Sequence, residues 1–188
     1  MKKPLVGPRN LVYENPYQKI FRVEAHFGQF SKEYYVLATG RKAGIVVIRG
    51  DQVLLVRQYR LLIDQVSWEI PGGKVDEHET PAEAAVRECF EESGIQCSKP
   101  LPLLFYQPGL DTSDNPTYLF FTDNFSETVG NSHFHPDEVC DIEWIPLSRC
   151  IDMIGKHDIV DSFSIIALLA YQSHLLGHLT WSDGVDNG

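Results

Sequence analysis

A bounded helix in the middle of the chain narrows the fold most. Thr80-Pro81-Ala82-Glu83 has the form of a helix start. Thr80 suits the N-cap, Pro81 the first helical position, and Glu83 completes a capping box. Gly94 suits the stop, since glycine readily takes the left-handed conformation that ends helices. The spacing therefore predicts a helix over 81–93. At ~100° per residue, Ala82, Ala85, Val86, Cys89 and Phe90 gather on one side, and Glu88, Glu91 and Glu92 on the other. Glu88 and Glu92 are one turn apart, and Glu88 and Glu91 are three residues apart, so the three carboxylates converge.

Convergent like charges need an explanation, because the chain already carries a formal net charge of -10. A solvated face is one explanation. Such a face normally intersperses lysine, since like charges one turn apart cost a few tenths of a kcal/mol. This face has none. The other explanation is a hard-cation site, because carboxylates suit Mg²⁺ and Mn²⁺. Spacing alone leaves both open.

The rest of the chain reads mainly as strands. "FRVEAHF" (21–27) alternates apolar and polar residues with a period of two. "EYYVLAT" (33–39) follows a turn near Phe30-Ser31-Lys32. "AGIVVI" (43–48) and "QVLLVRQY" (52–59) flank Arg49-Gly50-Asp51, a hairpin turn. "VSWEI" (66–70) is ended by Pro71-Gly72-Gly73. After the helix come "LPLLFYQ" (101–107), "TYLFFT" (117–122) and "VCDIEWI" (139–145). Two helices close the chain, over 147–154 and 161–177, the second capped by Asp161. The segment after Trp181 reads as a loose tail. Strands that do not alternate regularly with helices argue against a doubly wound parallel sheet. The expected fold is α/β of the α+β type, a mixed sheet with helices packed on its faces.

Composition limits the partners. The acidic balance argues against a DNA-coating or membrane-surface protein, which would present a basic patch. The most apolar run, "FSIIALLAY" (163–171), is too short to span a bilayer. Cys89, Cys97, Cys140 and Cys150 form no CxxC pair and no zinc-like spacing. With no signal peptide at the N-terminus, they read as reduced thiols, which places the protein in a cytoplasm.

The loop before the helix favours the cation site. From Gly73 to Ile95 the chain reads "GKVDEHETPAEAAVRECFEESGI". This resembles the Nudix box, Gly-x5-Glu-x7-Arg-Glu-U-x-Glu-Glu-x-Gly-U, where U is a bulky aliphatic residue. Gly73, Glu79, Arg87, Glu88, Glu91, Glu92, Gly94 and Ile95 all fall in register. Cys89, at the first U position, departs from the pattern but is itself a small hydrophobe.

The resemblance implies a hydrolase of nucleoside diphosphates linked to another group. By the same resemblance Glu88 and Glu92 are metal ligands, Glu91 is a third, and the Gly72 carbonyl is a further one. Mg²⁺ is the implied cofactor, with Mn²⁺ as a substitute. Glu79 and Arg87 pair, which braces the loop and orients Glu88. "LLVRQYR" (54–60) before "WEIPGGK" (68–74) resembles the branch of ADP-ribose pyrophosphatases and nucleoside-diphosphate-sugar hydrolases. It implies substrate contacts at Arg60, Glu69 and Arg57. Arg60 is also placed for an ion pair with Glu69, and Arg57 is out of phase on its strand.

"YQPGLDTSD" (106–114) resembles a proline-bearing loop of that branch and equally reads as a plain turn. "HPDEVCDIEWIPL" (135–147) has the form of the branch's acidic loop. It implies a general base at Glu138, with Asp137 the alternative. The implied organisation is an N-terminal strand region (1–40) forming a small sheet with dimer and substrate contacts, a Nudix domain (41–180) and a tail (181–188). Tyr13, Tyr17 and Phe27 would stack on a base or pack in the core. The implied function is hydrolysis of ADP-ribose to AMP and ribose 5-phosphate by a homodimer, or of ADP-glucose or GDP-mannose.

Overall fold

A computed structural model of the chain describes residues 3–127 and 139–179. In chain order the elements begin with β1 (Leu5–Val6), β2 (Asn10–Glu14), β3 (Lys19–His26), β4 (Ser31–Ala38), β5 (Lys42–Arg49), β6 (Gln52–Arg60), β7 (Gln65–Glu69) and β8 (Gly72–Lys74). Then come α1 (Pro81–Ser93), β9 (Ile95–Cys97), β10 (Leu101–Tyr106), β11 (Ser113–Asp114), β12 (Thr117–Thr122) and β13 (Phe125–Glu127). β14 (Val139–Pro146), α2 (Leu147–Gly155) and α3 (Ser162–Leu175) end the series. Mixed sheets with three helices make this an α+β fold. The chain divides into two compact units, residues 1–41 with 106–117, and residues 42–105 with 118–188.

The first unit is built on β3 and β4, which pair antiparallel from Lys19↔Ala38 to His26↔Ser31. The alternation in β3 does what a period of two requires: Val23 and Ala25 are buried while Arg22, Glu24 and His26 are exposed. β1 and β2 pair with different stretches of β3, and β11 joins β4 in parallel. The β3–β4 turn lies at Phe27–Phe30, ahead of the expected Phe30-Ser31-Lys32. Gly28 supplies its positive φ of 89°, and the Phe27 N–H donates to the Phe30 carbonyl at 2.8 Å.

The second unit centres on a seven-stranded sheet ordered β10-β12-β5-β6-β14, with β7 on β6 and β8 on β5. Residues 43–48 of β5 are all buried because helices cover both faces of the strand. Ala43, Ile45 and Val47 pack in one core with Leu54, Ala84, Ala85 and Cys89, which sets α1 on that face. On the other face Gly44 lies against the Phe163 ring of α3, so close that a side chain at 44 would strike it.

α1 runs from Pro81 to Ser93, with both capping-box bonds formed and Gly94 left-handed at φ 70°. Its buried residues are Pro81, Ala84, Ala85, Cys89 and Ser93. The buried stripe is thus rotated from the expected one towards Ala84 and Ser93, while Phe90 is only half-buried. Ser93 is accommodated because its hydroxyl donates to the Cys89 carbonyl at 2.6 Å and accepts from the Ile95 N–H at 3.2 Å.

α3 ends at Leu175, two residues before its expected limit, and left-handed Gly177 follows. Pro71-Gly72-Gly73 is not merely a stop, since β8 resumes pairing at once with Lys42↔Lys74, Ala43↔Gly73 and Gly44↔Gly72. Among the described residues no helix is long and apolar enough to cross a membrane.

Gly72 is required by this close approach. A Cβ there would lie 2.6 Å from the Ala43 carbonyl oxygen and 2.7 Å from the Gly44 Cα, backbone atoms that cannot swing aside. Gly72→Ala is therefore expected to lower stability by about 1–3 kcal/mol, the usual cost of overpacking. Chemical denaturation checks this, and an unchanged midpoint would contradict the packing argument.

Candidate active site

The site lies where α1 turns its polar face onto the β8 backbone. Gly73 carries no side chain, and the Glu88 carboxylate lies over it. A Cβ at 73 would come 2.5 Å from the Glu88 carboxyl carbon. One turn on, Glu92 reaches the neighbouring peptide, and the Gly72 N–H donates to Glu92 Oε2 at 3.0 Å. The other oxygen, Oε1, accepts from Gln58 Nε2 at 2.6 Å. Glu88 and Glu92 thus converge on two consecutive glycines, as their i,i+4 spacing allows.

Arg87 holds the rest of the acidic face. Its Nη2 donates to Glu79 Oε1 at 2.7 Å and its Nε to Glu79 Oε2 at 3.1 Å, a two-pronged pair. Nη2 also donates to the Lys74 carbonyl at 3.0 Å, tying helix to loop. Nη1 donates to Glu88 Oε1 at 3.0 Å and to Glu91 Oε2 at 2.9 Å. These bonds, to Glu79 above all, push the guanidinium pKa further up, with burial opposing them.

Burial shapes the acids. It pushes Glu88 up, and Arg87 draws it partly back. Glu92 is pushed further, to about 7, again chiefly by burial, with the Gly72 N–H and the Gln58 amide opposing the shift. Among the described residues no three His, Cys, Asp or Glu side chains form a ready cation cage. Arg87 draws Glu88 and Glu91, whereas Gln58 and Gly72 draw Glu92. The donor set nevertheless suits a hard cation: two largely covered carboxylates and a peptide edge meet where glycine leaves room.

The remaining expected residues fall in three places. Arg60 and Glu69 are together: Arg60 Nε donates to Glu69 Oε1 at 2.8 Å, and Nη2 reaches Oε2. Glu69 is buried while Arg60 is half exposed. Gln58 and Arg60 project to the same face of β6, two residues apart. Arg57 projects to the other face, lies over the Trp68 ring at 5.6 Å, and keeps its buried Nε without a hydrogen bond. The structure thus does not bring Arg57 to Arg60 and Glu92. Glu138 and its alternative Asp137 lie outside the described residues.

Gln58 had not been singled out as a site residue. The only available signal was its phase, two residues before Arg60 on a strand.

In the first unit, Arg9, Phe27, Tyr34, Gln107, Asp111 and Asp114 help line a cavity of about 460 Å³, and Arg9 pairs with Asp114 at 2.5 Å. Phe27 lines this cavity, whereas Tyr13 and Tyr17 are exposed and do not.

A capped helix whose acids fold back onto a glycine pair, mounted on a mixed sheet, defines a loop–helix acidic site. The family model for the NUDIX domain matches residues 38–162. The chain is 31% identical over 150 residues to CMP-5'-(N-acetyl-N-hydroxy-3-aminopropyl)phosphonate hydrolase of Streptomyces rubellomurinus, covering 79% of this chain and 71% of that protein. It is 23% identical over 146 residues to ADP-ribose pyrophosphatase of Bacillus subtilis, covering 78% and 79%. A crystal structure of an ADP compounds hydrolase superposes with a TM-score of 0.80 at 19% identity, over 95% of this chain and 98% of that one. The chain belongs to the Nudix family.

The raised Glu92 carboxyl makes the metal-free fold sensitive to pH. The fold favours its protonated form, so that contribution to stability is complete below about pH 4.5. It is lost as pH rises through about 7. The loss is about 3 kcal/mol, at about 1.4 kcal/mol per tenfold. Chelator-treated protein should therefore be less stable at pH 8 than at pH 5, and Glu92→Gln should flatten the difference. Denaturation midpoints across that window measure it, and equal slopes in both proteins would contradict the assignment.

Proposed function

We propose that the chain hydrolyses the diphosphate bond of ADP-ribose, releasing AMP and ribose 5-phosphate, with a divalent cation as cofactor. The observation that carries the reading is the convergence of Glu88 and Glu92 on the side-chain-free backbone of residues 72–73. In this reading Glu88, Glu92 and the Gly72 carbonyl hold Mg²⁺ or Mn²⁺, with Glu91 as a further ligand. When bound, the cation neutralises diphosphate charge and lowers the pKa of a coordinated water. Arg87 bonds Glu88 and Glu91, so a bound cation would share those carboxylates with it.

Arg60 binds a substrate phosphate through the part of its guanidinium that Glu69 leaves free, and Glu69 fixes its orientation. Glu138 is the general base, on the resemblance of its loop alone. Arg57 is given no substrate contact, because it faces away from Gln58 and Arg60.

The first unit is read as the base-recognition and dimer-forming part. Its cavity carries two aromatic rings, an arginine and carboxylates, groups suited to a heterocycle and a ribose. Leu5, Val6, Leu11, Val12 and Tyr13 are exposed on β1 and β2, which supports burial against a second copy. All four cysteines are free, in keeping with a cytoplasmic protein.

Hydrolysis of other nucleoside diphosphate sugars is the second reading. The relative named for a CMP-linked phosphonate is more similar to this chain than the ADP-ribose pyrophosphatase is, which supports a nucleotide conjugate other than ADP-ribose.

A panel of ADP-ribose, ADP-glucose, GDP-mannose and a CMP-linked compound, assayed with Mg²⁺, tests the substrate. ADP-ribose is expected to give the highest kcat/KM. Strong turnover of a nucleotide hexose beside inert ADP-ribose would replace the first reading with the second. Glu92→Gln should lower kcat by at least ~10²-fold, the scale on which lost charge stabilisation acts. Chelation should abolish turnover and added Mg²⁺ restore it. Full turnover by Glu92→Gln would sink the ligand assignment. Gly73→Ala displaces only the flexible end of Glu88. It should leave the melting temperature nearly unchanged and still lower kcat at least ~10-fold, because small misplacements are costly in catalysis.

A further inference from the structure

Gln58 lies near the C-terminal end of β6, paired on one side to Ser67 of β7 and on the other to Val139 of β14. The residue is 5% exposed, an unusual place for an amide unless a partner requires it. Its Nε2 donates to Glu92 Oε1 at 2.6 Å, across 34 positions of sequence. The Gly72 N–H takes Oε2 at 3.0 Å. One donor on each oxygen fixes both the rotamer and the plane of the carboxylate, and each oxygen keeps a lone pair.

The remaining box acids are held differently. Glu79, Glu88 and Glu91 all bond to Arg87. Glu92 takes its bonds from neutral donors, so its charge is not cancelled by a cationic side chain in contact. A lysine at 58 would neutralise Glu92, and a glutamate would repel it. Glutamine can orient the carboxylate and leave its charge available.

We propose that Gln58 is a positioning residue that presets the Glu92 carboxylate for a divalent cation, acting through Glu92 rather than on the substrate. This rests on the reading of Glu92 as a cation ligand. Oriented ligands bind more tightly than free ones, and loss of such an outer contact typically weakens metal affinity 10–100-fold. A merely structural glutamine would affect folding and leave affinity for a bare ion unchanged.

The probe is Mn²⁺ alone, titrated into the full chain and followed by its electron paramagnetic resonance signal, with no substrate present. Gln58→Met keeps the length of the side chain and removes the donor. Gln58→Leu is the second variant, should the first fold poorly, and circular dichroism checks that each is folded. The expected result is Mn²⁺ binding about 10-fold or more weaker in both variants. Turnover of the best substrate should recover at high Mn²⁺, and KM for that substrate should be unchanged at saturating metal. Variants that bind Mn²⁺ within twofold of the wild type overturn the role of Gln58 and leave the ligand assignment standing. A wild type that binds no more Mn²⁺ than Glu92→Gln overturns the ligand assignment, and the role of Gln58 with it.

Discussion

The bare backbone at Gly72 and Gly73 is the constraint on which the rest of the site depends. Each glycine faces a different neighbour. Gly72 meets the β5 backbone at Ala43 and Gly44, and Gly73 meets the Glu88 carboxylate. Together they let β8 lie between a buried strand and an acidic helix. With a side chain at either position, one of the two must retreat. Gly44 extends the same logic to the opposite face, where α3 brings Phe163 onto β5. Three glycines thus allow a strand, a loop and two helices to approach more closely than ordinary side chains permit. The acids converge because the scaffold leaves them a surface with no side chain of its own.

Electrostatics then decides how that surface can exist without a ligand. Four glutamates and one arginine cannot balance. Arg87 spreads its donors over Glu79, Glu88 and Glu91 and over the Lys74 carbonyl, so one cation tethers helix to loop. Glu92 lies outside that network and has only neutral donors, which is why burial pushes its carboxyl up to about 7. The cost of holding charge without a cation is therefore concentrated at one buried acid, chiefly as lost hydration. Such a site gains most from a divalent cation and pairs least well with a diphosphate in its absence.

Much of this was legible in the sequence, and the failures have definite causes. Thr80, Glu83 and Gly94 bounded α1 because capping chemistry is local: the bonds that define it span three or four residues. The pairing of Glu79 with Arg87 spans eight residues, and it was legible only through the resemblance to the Nudix box. β2 gave no signal, since all five of its residues are exposed and no alternation marks a buried face. β8 was hidden because Gly-Gly reads as a turn, and only the neighbouring β5 shows why the glycines pair as a strand. The tilt of α1 was misplaced by one position because Ser93, a polar residue, is buried through its bonds to Cys89 and Ile95. Gln58 was passed over because its partner lies 34 residues away, and no local pattern announces a contact made through the tertiary fold.

The direction in which the box residues spend their contacts also bears on specificity. Glu79 and Arg87 hold each other, Glu88 lies on Gly73, and Glu92 is held by Gln58 and Gly72. These contacts are local to the loop, the helix and the adjoining strand. Glutamates and backbone around a glycine pair suit a cation and the charged phosphoryl group it would carry, and among these contacts there is no ring shaped to a particular base. Discrimination between bases then falls to groups outside the box, where an unpaired polar group or a lost stacking contact penalises the wrong ligand. One hydrolytic core can therefore serve relatives named for a CMP-linked phosphonate and for ADP-ribose.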